Sequence, residues 1–425
     1  MGSLPPVLSK TTVRVVASAL LSWSVCVPVL AKSPEPSKAA IYQWSANVAV
    51  VPAQAGRQRV ETALVTDSQG RVWLSYLDTE YKFTPGGKWL AWPRKVVLHQ
   101  SLDQGNSFGP PTVLTEMGGD ESLAIGRDGA LYAAWVQYSY DQKHQLKQRV
   151  AVRRLEGGAE SGTVLDCLPA DSETLHDQSH LLATGDGAIH VFGTDIHPKH
   201  RGKPQLLHAR LDPKSMTCSR GERIDSVGQL PQAAATDKGM VVAGPVGYVR
   251  SADQGLSFDP GPGMPFGDKL ARVAADPRTG DIYVTGDAGW NGLWVFASVD
   301  GGRTWRRTQV VPAEVGREWR FPVAHVDGKG RLHLAWMDDR EGFGALYHAF
   351  SEDRGVTFSP ATRITDAEFT FPKRAPPPPP ATQSGNWVGD YISLTSVGER
   401  LVVAWSDQRA GPALATVYVA TAQLK

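Results

Sequence analysis

The sequence predicts an all-β chain built as a β-propeller, with four-stranded antiparallel blades set radially around a common centre. Three observations predict it. A short phrase, Ser-x-Asp-x-Gly-x-Ser/Thr-aromatic, occurs four times, at Ser101–Phe108, Ser251–Phe258, Ser298–Trp305 and Ser351–Phe358. Between its copies an apolar hairpin recurs. The 425 residues include 43 Gly and 30 Pro, as a chain of many short strands and turns requires.

Each residue of the phrase suits a tight turn between strands. The Asp side chain can accept hydrogen bonds from backbone N–H groups just ahead of it. The Gly takes φ > 0 without a Cβ clash. The Ser or Thr hydroxyl closes the local network, and the aromatic starts the next strand by burying its ring.

The hairpins run Ala63–Tyr76, Leu123–Trp135, Leu181–Phe192, Ala233–Ala243, Val273–Val284, Val323–Trp336 and Ile392–Trp405, each an apolar strand, a turn and a second apolar strand. Degraded copies of the phrase follow two of them, at Arg154-Leu-Glu156-Gly-Gly158 and Arg210-Leu-Asp212-Pro-Lys214. The last repeat, ending near Leu424, is short of one strand, and Trp44–Pro52 can supply it and close the ring. Seven blades is the favoured count and six the alternative.

The repeated phrase resembles the Asp-box, or bacterial neuraminidase repeat, of the sialidase superfamily. The resemblance covers most of the chain after residue 60 and is specific for the fold. It implies boxes at outer turns, far from the ligand. It also implies three arginines on a sugar carboxylate, a Tyr nucleophile helped by a Glu, and an Asp acid/base. The Phe/Tyr-Arg-Ile-Pro phrase that carries the first arginine in that family is absent. Arg57 and Arg59 are the basic residues nearest its place, and Arg320-Phe-Pro322 lies out of order.

Residues 1–31 read as a secretory signal. Lys10 and Arg14 are its basic part, Val15 to Ala31 its apolar part, and Val29-Leu-Ala31 its cleavage site, leaving 32–425 as one propeller domain. The expected location is secreted or periplasmic. No later segment is long and apolar enough to span a membrane. A net charge of +1 gives no basis for nucleic-acid binding. Cys167 and Cys218 invite a disulfide in an oxidising compartment, but their separation in the repeat leaves the bond open, and they form no zinc site. Neither a cofactor nor a metal is expected, and the chain is read as a monomer. The Pro-rich run Phe371–Pro380 is a stiff extended loop before the last blade, a spacer or a lid.

Ligands of propellers meet the face where innermost strands begin and second strands end. The entry positions are Arg57, Arg59, Glu61; Asp120, Glu121; Asp177, His180; Gln229, Gln232; Asp268, Arg272; Arg317, Trp319, Arg320; Trp387, Asp390 and Tyr391. The exits are Asp78, Glu80, Tyr81; Gln137, Tyr138, Tyr140; Asp195, His197; Asp287, Trp290; Asp338, Asp339, Arg340; Asp407 and Arg409. Aromatics there can stack on sugar rings, arginines can fork onto carboxylates, and paired carboxyls can do acid–base work. The exits Trp336-Met-Asp338-Asp-Arg340 and Trp405-Ser-Asp407-Gln-Arg409 match each other, and residues two apart share a strand face, so each Asp–Arg pair favours a local clasp. The stretch His176–His200 is rich in histidine and offers a metal site or a lyase base, with His190 structural.

The resulting expectation is a sialidase-like propeller that acts on or binds glycans at its central face. Its catalytic set is Tyr391 as nucleophile with Asp78 or Glu80 as acid/base. Arg59, Arg320 and Arg340 or Arg409 take an anion, and Trp319, Trp387, His180 and His197 contact ligand. The alternatives are a propeller that only binds glycan or protein, and a uronate polysaccharide lyase.

Overall fold

The computed structural model describes residues 42–83, 89–156, 162–171, 174–200, 203–224, 227–261, 266, 271–286, 292–314, 318–371, 388–411 and 414–424, and only the backbone within 81–93. The signal segment 1–31, most of the Pro-rich run, Asp268, Asp287, Trp290, Arg317 and Trp387 lie outside them.

The strands form seven separate antiparallel sheets, so the count is seven and the six-bladed alternative is discarded. The innermost strands are Arg57–Thr66, Gly118–Ile125, His176–Ala183, Gln232–Thr236, Ala271–Asp276, Trp319–Val326 and Ser393–Val397, and each blade meanders outward from its own. Blade 7 is completed from both ends of the chain. Its third strand, Thr416–Leu424, pairs with Tyr42–Trp44, Tyr42 opposite Leu424, and Val48–Ala49 pairs farther along it. This closing segment begins two residues earlier than the sequence reading placed it.

The core is divided among the blade interfaces. Seven apolar clusters lie between neighbouring sheets, for example Trp73, Leu98 and Leu114 of blade 1 against Leu131, Trp135 and Leu155 of blade 2. Both faces of each sheet are therefore covered, and the second strands are buried without alternation, as in Ile189–Asp195 and Leu332–Asp338. That is why these strands read as near-continuous apolar runs.

The four phrases adopt one geometry. In the first, Asp103 accepts from the Ser101 hydroxyl at 2.8 Å, the Ser107 backbone N–H at 2.9 Å and the Ser107 hydroxyl at 2.6 Å. The Gly105 N–H donates to Ser101 Oγ at 2.8 Å. Gly105, with φ +88°, follows Gln104, also left-handed at +59°, so the turn needs glycine at its second such position. The turns join the third and fourth strands of blades 1, 4, 5 and 6, on the outer part of each sheet. Blades 2 and 3, which carry the degraded copies, are joined instead by a Cys167–Cys218 disulfide with Cα atoms 5.4 Å apart.

The matched exits are clasps. Trp336 Nε1 donates to Asp338 at 3.1 Å and Trp405 Nε1 to Asp407 at 2.7 Å. Arg340 Nε and Arg409 Nη2 then donate to the same carboxylates at 2.7 Å each. Both guanidiniums lie over tyrosine rings, Tyr347 at 4.0 Å and Tyr418 at 4.2 Å. The local pairing favoured for both exits is the one observed.

Candidate functional site

The innermost strands of blades 1, 2, 3 and 6 each lose register near their start, between Val60 and Ala63, Gly119 and Ser122, Asp177 and His180, and Arg320 and Val323. At each bulge one non-glycine residue is left-handed: Glu61 (φ +62°), Asp120 (+51°), Gln178 (+53°) and Phe321 (+53°). Such bulges re-aim side chains and hold strain that the surrounding sheet must support. Neighbouring blades are stitched there: Ser179 Oγ donates to Asp120 O at 2.5 Å, and Leu230 N to Gln178 Oε1 at 2.6 Å.

The bulges surround a central cavity of about 250 Å³. Asp120, Glu121, Gln178, His180, Arg272 and Tyr391 line its polar part, and Leu64, Leu123, Val273 and Val323 its apolar part. Carboxyl groups crowd here. Glu61, Asp120, Glu121 and Asp177 repel one another and Asp390 closely enough to move one another's protonation, and Arg94 is the cation that opposes this in all four. Burial pushes Asp120 up to about 6, with Arg94 opposing and Asp390 adding. Burial and then Asp120 push Asp177 up to about 8. Glu61 and Glu121, both 3 % exposed, are held well above the usual carboxylate range, chiefly by burial. Both Glu121 oxygens and Glu61 Oε2 are buried without a hydrogen-bond partner.

Opposite in charge stands Arg272, 5 % exposed, its guanidinium 5.2 Å from the Tyr391 ring centre and its Nη1 unpartnered. Burial lowers its pKa to about 10. The Tyr391 phenol is pushed up by burial and then by Glu121, Glu61 and Asp120. His180 contacts the Ala233 carbonyl oxygen through Nε2 at 3.2 Å, and burial lowers it to about 4.

The structure therefore brings Tyr391 and His180 to the cavity. The other expected residues lie elsewhere. Asp78 takes Arg57 Nε at 2.9 Å and Arg59 Nε at 3.4 Å, and Arg59 also donates to the Pro52 carbonyl, so both are engaged away from the cavity wall. Glu80 sits opposite Arg57 in the sheet. Arg320 donates to Glu318 at 2.9 Å, and Arg340 and Arg409 are held in their clasps. Trp319 is 2 % exposed, in the core between blades 5 and 6. His197 accepts from Lys199 N in a turn. The expected trio of arginines is not assembled on the cavity wall, because each guanidinium is drawn to a nearer carboxylate or carbonyl.

Arg94 was not among the expected residues. It lies on the third strand of blade 1, and it reaches Tyr138 of blade 2, ring centre 5.4 Å away. It stands at neither an entry nor an exit of its blade, and the signal that could have found it is the unusual length of that hairpin, Val72–Phe83 with Trp89–Ser101. His190 and His208 of blade 3 are internal, His190 Nδ1 lying 2.9 Å from His208 Nε2 with the rings stacked. Among the described residues no group of His, Cys, Asp and Glu is arranged to hold a metal ion.

No protein-family model matches the chain, and no curated protein matches it in sequence. Its fold resembles a protein of unknown function from Dyadobacter fermentans, with a TM-score of 0.54 and 14 % identity over 90 % of this chain and 99 % of that one. It is also similar to an α-L-arabinanase of Penicillium chrysogenum crystallised with arabinobiose (TM-score 0.48, 10 % identity, 89 % and 98 % covered). A sialidase of Streptococcus pneumoniae gives a TM-score of 0.48 at 12 % identity, with 89 % and 71 % covered. At such identities the likeness is one of fold.

Proposed function

We propose that the central face hydrolyses a glycosidic bond, and that the work is done by carboxyl groups on neighbouring blades. One observation carries this reading: Asp120 on the cavity wall and Asp177 on the next blade, both half-buried and close enough for Asp120 to repel Asp177, are pushed up by burial to about 6 and about 8. Carboxyl groups whose surroundings drive their pKa values apart divide into an acid and a base. At neutral pH Asp177 holds a proton for the departing oxygen, while the Asp120 carboxylate assists the nucleophile at the anomeric carbon.

The Tyr391 hydroxyl, kept protonated by its surroundings, donates to the sugar. A nucleophilic role for Tyr391 needs its proton to pass first to a facing carboxylate, a step the Asp120–Asp177 pair does without. The carboxylate of a sialic acid is not suited by a wall on which Arg272 is the one lining guanidinium among the described residues, Arg59, Arg320, Arg340 and Arg409 being held by carboxylates elsewhere. The Cys167–Cys218 bond supports work outside the reducing cytoplasm, consistent with a signal at 1–31.

The uronate lyase is the second reading, and one observation favours it: His180, Arg272 and Tyr391 line the same cavity, with Arg272 over the Tyr391 ring. A panel of chromogenic neutral glycosides, sialosides and uronate polysaccharides separates the cases. Hydrolysis of a neutral glycoside, lost about 10²–10⁴-fold in Asp177→Asn and in Asp120→Asn, supports the proposal. Release of an unsaturated uronate gives the lyase. Glycan binding with no turnover gives a binding propeller, and either of these last results overturns the hydrolase.

A further inference from the structure

We propose that the central cavity recognises a sugar carrying a protonated amine, with the ammonium seated at Glu121 on the cavity wall. The proposal rests on reading this face as a sugar site, and it is independent of whether the bond is cleaved.

The geometry points to an ammonium by its count of partners. Both oxygens of Glu121, which lines the cavity, are buried and take no hydrogen bond from any other residue. Glu121 is 3 % exposed, so water does not serve it as it serves a surface carboxylate. An ammonium offers three N–H donors and no acceptor. A neutral sugar hydroxyl offers one donor, and an N-acetyl group one donor with a bulky acceptor beside it. Across the cavity, Arg272 Nη1 is likewise buried without an acceptor, and a sugar hydroxyl or ring oxygen can accept a hydrogen bond from it. The cavity, at about 250 Å³, is smaller than the about 300–1,000 Å³ of pockets for drug-sized ligands and suits a single sugar ring.

Charge runs the same way. The groups facing Glu121 and Glu61 are Asp120, Asp390 and Arg94, with Tyr391 facing both and Arg272 facing Tyr391. Carboxyls outnumber cations, and the free protein limits the repulsion by keeping Glu61 and Glu121 protonated. An ammonium at Glu121 replaces its proton, so binding releases protons to the buffer.

The test is calorimetric titration of the full chain at pH 7 with glucosamine, glucose, N-acetylglucosamine and glucuronate, repeated in two buffers of different ionisation heat. The expected result is at least tenfold tighter binding of glucosamine than of the other three, with proton release seen only for glucosamine. In Glu121→Gln, with its melting temperature checked, the preference falls to within about twofold. Equal affinities, or tighter binding of glucose, N-acetylglucosamine or glucuronate, overturn the proposal. Glycoside turnover measured alongside keeps the two readings apart. Amine preference without turnover sinks only the hydrolase, and turnover of neutral glycosides without amine preference sinks only the ammonium site.

Discussion

Asp177→Asn should make the protein more stable at neutral pH while removing its activity. The native carboxyl titrates near 8, raised by burial and by Asp120, against 3.8 for an unperturbed Asp. As pH rises from 3.8 the unfolded chain releases this proton and the native state does not. The native state is thereby penalised progressively, until the pH passes about 8. At pH 7 that span is about three pH units at ~1.36 kcal/mol each, an upper bound of about 4 kcal/mol. Asp177 keeps some contact with solvent, so about half, or about 2 kcal/mol, is the figure to expect. Asn matches the shape and neutrality of the protonated acid and escapes the penalty. In a chain of this size about 2 kcal/mol moves the melting temperature by about 2–3 °C. Thermal melts of both proteins between pH 4 and pH 8 measure it. The variant should melt with wild type near pH 4 and increasingly above it toward pH 8. A variant less stable than wild type at pH 7, or a difference independent of pH, refutes the reasoning.

Three further outcomes follow from particular contacts. Replacing Cys167 and Cys218 by Ser opens a loop of 51 residues and should cost about 4 kcal/mol, read as a lower denaturant midpoint matched by wild type under reducing conditions. Asp407→Ala strips the Trp405 Nε1 donor of its acceptor and leaves the Arg409 guanidinium with Asp366 and Asn47 alone, and should cost about 2 kcal/mol in denaturant unfolding, with ligand affinity at the central cavity unchanged. Arg94→Ala removes the cation that opposes protonation of Asp120, so the acid limb of any pH–rate profile should move upward from about 6.

Much of the fold was legible because it is written in repeats. Phe108, Phe258, Trp305 and Phe358 each follow a Gly that must be left-handed, and that local need is met in the same way four times. The register of the central face was legible too: Glu61, Asp120, Glu121, Asp177, His180, Arg272, Asp390 and Tyr391 were all placed at strand entries by the hairpin pattern. What the pattern could not supply was the direction of each side chain. Arg59, Arg340 and Arg409 stand at the same ends of strands as the cavity residues, yet Asp78, Asp338 and Asp407 capture them within one or two residues along or across the sheet. A single bulge residue decides the matter elsewhere, because the register shift after Val60 or Gly119 turns Glu61 and Asp120 inward. Arg94 was hidden for another reason: it reaches the cluster from a third strand, across a blade boundary that no spacing rule spans.

The central claim is the proposal that Asp120 and Asp177 divide the acid and base roles within one carboxyl cluster. Its most direct test is kcat/KM against pH for a hydrolysed glycoside. The account predicts a bell with limbs near 6 and near 8, the upper limb lost with Asp177→Asn and the lower with Asp120→Asn. A profile flat across that range, or limbs that persist in both variants, contradicts it.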